Sequence, residues 1–97
     1  MNRFKVLNNF FQNKYIILIF IGYKNRIGKT STVIDVVDEF EIGSRYAYKL
    51  LEELEFGKFI IKKAKVQRNG VYYNNYIITE TAKTELKEIL KVITDIL

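Results

Sequence analysis

Five basic side chains, spaced so that two elements could present them together, are the chemistry this chain offers. Arg45 and Lys49 lie four residues apart in Ser44-Arg-Tyr-Ala-Tyr-Lys-Leu-Leu-Glu-Glu-Leu-Glu55, so on a helix they share a face. Lys63, Lys65 and Arg68 fall within 58–76, a stretch with five basic residues and no acid. Such guanidinium and ammonium groups grip the oxygens of phosphates or carboxylates. Proton-transfer and nucleophilic catalysis are not expected, because the chain holds no histidine and no cysteine, and we read it as no enzyme. Only carboxylates and backbone remain as metal ligands, so neither metal nor cofactor is expected.

The distribution of charge says more than its sum of +5. Residues 1–30 carry six basic side chains (Arg3, Lys5, Lys14, Lys24, Arg26, Lys29) and no acid. Residues 31–57 carry seven acids against Arg45 and Lys49. Segregation by element suits one face built for a polyanion better than a uniformly basic surface.

Ninety-seven residues, 48% of them hydrophobic, make a single domain spanning 1–97 with one modest core. The longest apolar run, Tyr15 to Ile21, has seven residues, against the roughly 20 that cross a bilayer. No small-residue cleavage pattern marks a secretory signal, so a cytoplasmic location is expected.

Phe4, Leu7, Phe10 and Phe11 predict an amphipathic helix over 2–12. Periodicity leaves 14–23 open between buried strand and buried helix; helix is chosen because the helices after it need a third to cover their core. Ser31 or Thr30 is the expected N-cap of a helix ending at Phe40, with Val33, Val36, Val37 and Phe40 as its inner stripe. After a turn at Glu41-Ile-Gly43, Ala47, Leu50, Leu51 and Leu54 form the inner stripe of the next helix, and Gly57 is expected to end it as a C′ glycine. Arg45, Lys49 and Glu52 point outward, flanked by Tyr48 and Glu53. Asn69-Gly70 between two runs rich in Val, Ile and Tyr predicts a hairpin pairing Val66 with Tyr73, Ala64 with Asn75 and Ile61 with Ile78. Thr79 then caps a helix reaching Leu97, whose apolar positions Ala82, Leu86, Ile89, Ile93 and Ile96 step by 4, 3, 4 and 3.

The helix–turn–helix Asp35–Leu54, the hairpin Phe59–Ile78 and the helix start Ile78-Thr-Glu-Thr-Ala-Lys-Thr-Glu-Leu86 resemble, over about 31–90, a winged helix–turn–helix of the MarR and PadR types of prokaryotic regulator. The resemblance implies an α+β fold: three N-terminal helices, a helix–turn–helix at 31–55, a β-hairpin wing at 59–78 and a long C-terminal dimerisation helix at 79–97. The Ile-, Asn-, Lys- and Tyr-rich composition and small size also resemble small proteins of archaeal viruses and plasmids, which would make the compartment a host cytoplasm.

The resemblance implies sequence-specific binding of double-stranded DNA by a homodimeric transcription regulator. Ser44, Arg45, Tyr46, Tyr48 and Lys49 would meet base edges in the major groove, Arg45 bridging guanine O6 and N7 for roughly 1–3 kcal/mol of discrimination. Lys63, Lys65, Arg68 and Asn69 would meet phosphate or minor groove; lysines there can instead guard a strand edge. Lys29, Thr30 and Ser31 at a helix N-terminus could hold a phosphate. Gly28-Lys29-Thr30 lacks the earlier glycine of a nucleotide-binding loop, since Gly22 stands one residue out of place. Tyr72, Tyr73 and Tyr76 could stack on single-stranded bases, although packing explains them as well. Leu86, Ile89, Leu90, Ile93, Ile96 and Leu97 would form the dimer interface. The acids Glu52, Glu53 and Glu55, where relatives carry Lys or Arg, suit the alternative of a winged-helix module that binds protein without DNA.

Overall fold

A computed structural model describes residues 3–97, and the part of the expected first helix at Asn2 lies outside the described residues. A 3-10 helix (Arg3–Asn9) is followed by α1 (Asn13–Arg26), α2 (Val33–Phe40), α3 (Ser44–Phe56), β1 (Ile60–Arg68), β2 (Val71–Ile78) and α4 (Glu80–Ile96). The fold is α+β, and the order of helix–turn–helix, two-stranded antiparallel hairpin and closing helix is that of a winged helix.

The ambiguous run resolves as α1, whose Ile16, Ile17, Leu18, Phe20 and Ile21 are all buried. A helix that is apolar nearly all round has no preferred face because it is surrounded, which is why its periodicity was uninformative. α2, α3 and the hairpin pack about it through Val33, Val36, Ala47, Leu50, Leu51, Leu54, Ile60 and Ile78. α1 ends in a Schellman motif: the Lys29 N–H donates to the Lys24 carbonyl at 2.8 Å and the Gly28 N–H to the Asn25 carbonyl at 3.0 Å. Gly28 takes φ 81° there, so it serves as the C′ glycine that ends α1.

The N-terminal segment is a 3-10 helix, not the amphipathic α-helix expected. Its Phe4 packs edge-on against Phe20 (5.6 Å) and Tyr23 (5.8 Å), and Leu7, one three-residue turn later, packs on the core. Phe10 is 84% exposed and forms no part of an inner stripe.

Two ends are corrected. The cap of α2 is Thr32, not Ser31 or Thr30. The backbone of Ser31 exchanges both hydrogen bonds with Tyr76 as a stub of third strand (3.4 and 2.7 Å), which pushes the helix start one residue on. At the end of α3, Gly57 has φ −74°, and Lys58 takes the left-handed conformation at φ 63°.

The turn at Asn69 (φ 51°) and Gly70 (φ 79°) has the two positive φ values of type I′. Val66 pairs with Tyr73 as expected, but Lys63 pairs with Asn75, Ile61 with Ile77 and Ile60 with Ile78. The expected pairs Ala64–Asn75 and Ile61–Ile78 do not form, because a β-bulge sets Ala64 and Lys65 against Asn74 alone. The tight turn fixes register from one end. At the other, the Phe59 N–H bonded to the Leu54 carbonyl (2.9 Å) aims Ile60 into the core, and the extra residue absorbs the mismatch. Asn75 Nδ2 donates to the Ala64 carbonyl at 3.2 Å and satisfies the bulged backbone.

Thr79 caps α4, its Oγ1 accepting from the Ala82 N–H at 3.2 Å and donating to the Lys58 carbonyl at 2.8 Å. Only Ala82 is fully buried on α4 and Leu86 partly so. Beyond Leu86 the helix leaves the body.

Left-handed backbone costs a side chain about 1–2 kcal/mol that glycine avoids, less what glycine loses in the unfolded chain. Lys58→Gly should therefore raise unfolding stability by about 0.5–1 kcal/mol, read from the midpoint of a denaturant titration.

Candidate nucleic-acid interface

α3 begins with Gly43 as its cap and no side chain on its first N–H groups. Ser44, Arg45, Tyr46, Tyr48 and Lys49 are all exposed on its first two turns, because Ala47 and Leu50 hold the opposite side to the core. Arg45 and Lys49 have no ion-pair partner among the described residues, so their charges project outward together. Tyr46 is tethered: Asn13 Nδ2 donates to its hydroxyl at 3.0 Å.

The acids in the second half of α3 are partly compensated by other elements. Glu53 meets Lys14 of α1 at 3.5 Å and Glu55 meets Lys62 of β1 at 3.6 Å. Exposed pairs like these add little stability, about 0–1 kcal/mol. They do lower the negative field beside Arg45 and Lys49, leaving Glu52 as the acid without a described partner.

The hairpin presents Lys63, Lys65, Arg68 and Asn69 at the surface, but not equivalently. Arg68 folds back, its two terminal guanidinium nitrogens at 3.2 and 3.3 Å from the two oxygens of Asp35. That two-pronged pair ties the hairpin tip to the start of α2. Asp35 Oδ2 also accepts from the Thr32 N–H at 2.8 Å, while Thr32 Oγ1 accepts from the Asp35 N–H at 3.4 Å, closing a capping box.

The trio Lys29, Thr30 and Ser31 is divided. Lys29 and Thr30 are exposed, whereas Ser31 is fully buried in its bridge to Tyr76. The N-terminus of α2 is already occupied by the Asp35 carboxylate. The pattern Thr32-Val-Ile-Asp35 signals such a box in the sequence, but nothing local announces that Arg68, 33 residues on, closes over it.

The returning strand separates its tyrosines. Tyr72 is 65% exposed, Tyr73 is packed partly on the core, and Tyr76 is buried. Burial, with Glu55 next, raises the Tyr76 hydroxyl above its ordinary pKa of 10.0.

No helix among the described residues is long and apolar enough to cross a membrane, and no group of three or more acidic side chains among them could hold a metal ion. No protein-family model matches the chain, and a comparison with curated proteins finds no match.

Two outcomes follow from these contacts. Folded Tyr76 keeps its proton where the unfolded chain loses it, so the stability it contributes is complete below pH 10 and lost as pH rises past that value. Melting curves from pH 8 to 11 should fall less steeply for Tyr76→Phe than for wild type. Asp35→Ala removes half of the cap box and the tether of the tip, and should cost about 1–2 kcal/mol in denaturant unfolding.

Proposed function

We propose that this chain binds double-stranded DNA sequence-specifically as a homodimer and acts as a transcription regulator. The observation that carries the reading is the unpaired, exposed couple Arg45 and Lys49 on the first turns of α3, beside a hairpin without acids. Two cations one helical turn apart can enter a major groove, Arg45 reading guanine and Lys49 holding base edge or phosphate. Ser44, Tyr46 and Tyr48 stand at the same helix end and contribute hydroxyls.

α4 supports the homodimer. Its seam is exposed beyond Leu86, with Leu90 at 63% and Ile96 at 79%, and neighbouring exposed apolar side chains of this kind suit an interaction surface. The seam is complementary to itself. Antiparallel pairing about Lys91 sets Leu86 against Ile96 and Ile89 against Ile93, and it brings Lys87 beside Asp95 of the second copy. Two α3 helices held in this way would address two half-sites.

Fluorescence anisotropy on random duplex DNA across a salt series tests the reading. Wild type should bind at low salt with a steep slope; Lys49→Ala should make that slope shallower by up to about one phosphate contact, and Arg45→Ala should weaken binding at a specific site by about 1–3 kcal/mol. If none of these proteins binds, the DNA reading is wrong and the acidic surfaces of α2 and α3 become the place to seek a protein partner. In sedimentation velocity, Ile89→Asp with Ile93→Asp should convert a dimer to a monomer of unchanged helix content.

A further inference from the structure

The β-bulge decides which of the wing's polar groups can act with α3. In an unbroken strand Lys63 and Lys65 would share a face. The observed register instead aligns Lys63, Val66 and Arg68 with Val71, Tyr73 and Asn75, and aligns Lys62, Lys65 and Gln67 with Tyr72, Asn74 and Tyr76.

The two faces look to different helices. Arg68, on the first, is held by Asp35 of α2. Lys62, on the second, is held by Glu55 of α3, and Tyr76, beside Asn74 on that face, has its hydroxyl pKa raised by burial and then by Glu55 with its neighbours Tyr48 and Glu52 on α3. The Lys62–Glu55 pair joins this face to the outer side of α3, and the face runs on from there toward the hairpin tip. Along this continuation stand Lys65, exposed and without an ion partner among the described residues, then Gln67 paired with the well-exposed Tyr72. All are carried by strand backbone and not by a loose loop, so their spacing from α3 is set.

Resting on the DNA reading above, we infer that the wing meets the duplex through Lys65, Gln67 and Tyr72, with Lys63 and Arg68 turned away from it. Lys65 supplies the phosphate contact. The Gln67 amide and Tyr72 hydroxyl supply uncharged hydrogen bonds to phosphate, sugar or groove edge, and the Tyr72 ring covers sugar carbons. Arg68 is engaged by Asp35 of α2 and does not meet the duplex.

Single variants in the same anisotropy series test the assignment, with far-UV circular dichroism as the check on folding; every side chain changed is exposed. Lys65→Ala should make the salt slope shallower by about one, and Lys63→Ala should leave it unchanged. Tyr72→Ala should weaken binding about fivefold at every salt concentration without changing the slope, as expected for one neutral hydrogen bond. Arg68→Ala should leave the slope unchanged. Equal losses from Lys63→Ala and Lys65→Ala, or a slope change in Arg68→Ala, would overturn the assignment. So would wing variants that all bind like wild type while Arg45→Ala is impaired, and in that case the DNA reading survives. Absence of wild-type binding at low salt would remove both.

Discussion

Burial of α1 on every side is the constraint from which the rest of the molecule follows. Ile16, Ile17, Leu18, Phe20 and Ile21 leave water together, and at about 25 cal/mol per Å2 of apolar surface such a helix is the main source of cohesion in a small domain. Enclosing it needs an element on each flank. α2 and α3 supply two, the base of the hairpin a third, and the aromatic contacts of Phe4 with Phe20 and Tyr23 close the remainder. Because α3 spends Ala47, Leu50, Leu51 and Leu54 on this enclosure, its other side is delivered to solvent with Arg45 and Lys49 on it.

The hairpin shows what happens when two constraints meet in one strand. A type I′ turn sets the pairing at the tip, and the Ile60–Ile78 pair in the core sets it at the base, one residue out of step. The bulge at Ala64 and Lys65 reconciles them and moves Lys65 to the face opposite Lys63. The tip is then steadied by Arg68 on Asp35, a carboxylate that also completes the cap of α2. The orientation of the hairpin tip and the start of α2 are thereby linked through one side chain.

What could be read in advance was whatever is encoded locally. The stripes of α2 and α3, the Thr79 cap and the Asn69-Gly70 turn depend on residues within one or two turns of each other, and the structure bears them out. What escaped depends on distant partners. The shift of the α2 cap to Thr32 needs Tyr76 to claim Ser31, and the bulge needs the register at both ends of β1. The candidate site divides the same way. The outward placement of Arg45 and Lys49, with Tyr48 at their flank, follows from helical spacing alone. The burial of Ser31 and the engagement of Arg68 do not; Gln67 carried no local signal, and Tyr72 stood out only as one of three strand tyrosines whose exposures sequence could not separate.

The most direct test of the central claim, that α3 and one face of the hairpin form a single surface for duplex DNA, is amide chemical-shift mapping by NMR. Uniformly 15N-labelled protein would be titrated with a short duplex at low salt. The account requires shifts concentrated at 44–49 and at 65, 67 and 72, with 80–90 of α4 and the 3-10 helix unmoved. Shifts confined to the 3-10 helix or to the Asp38–Glu41 side of α2, or none at all, would contradict it.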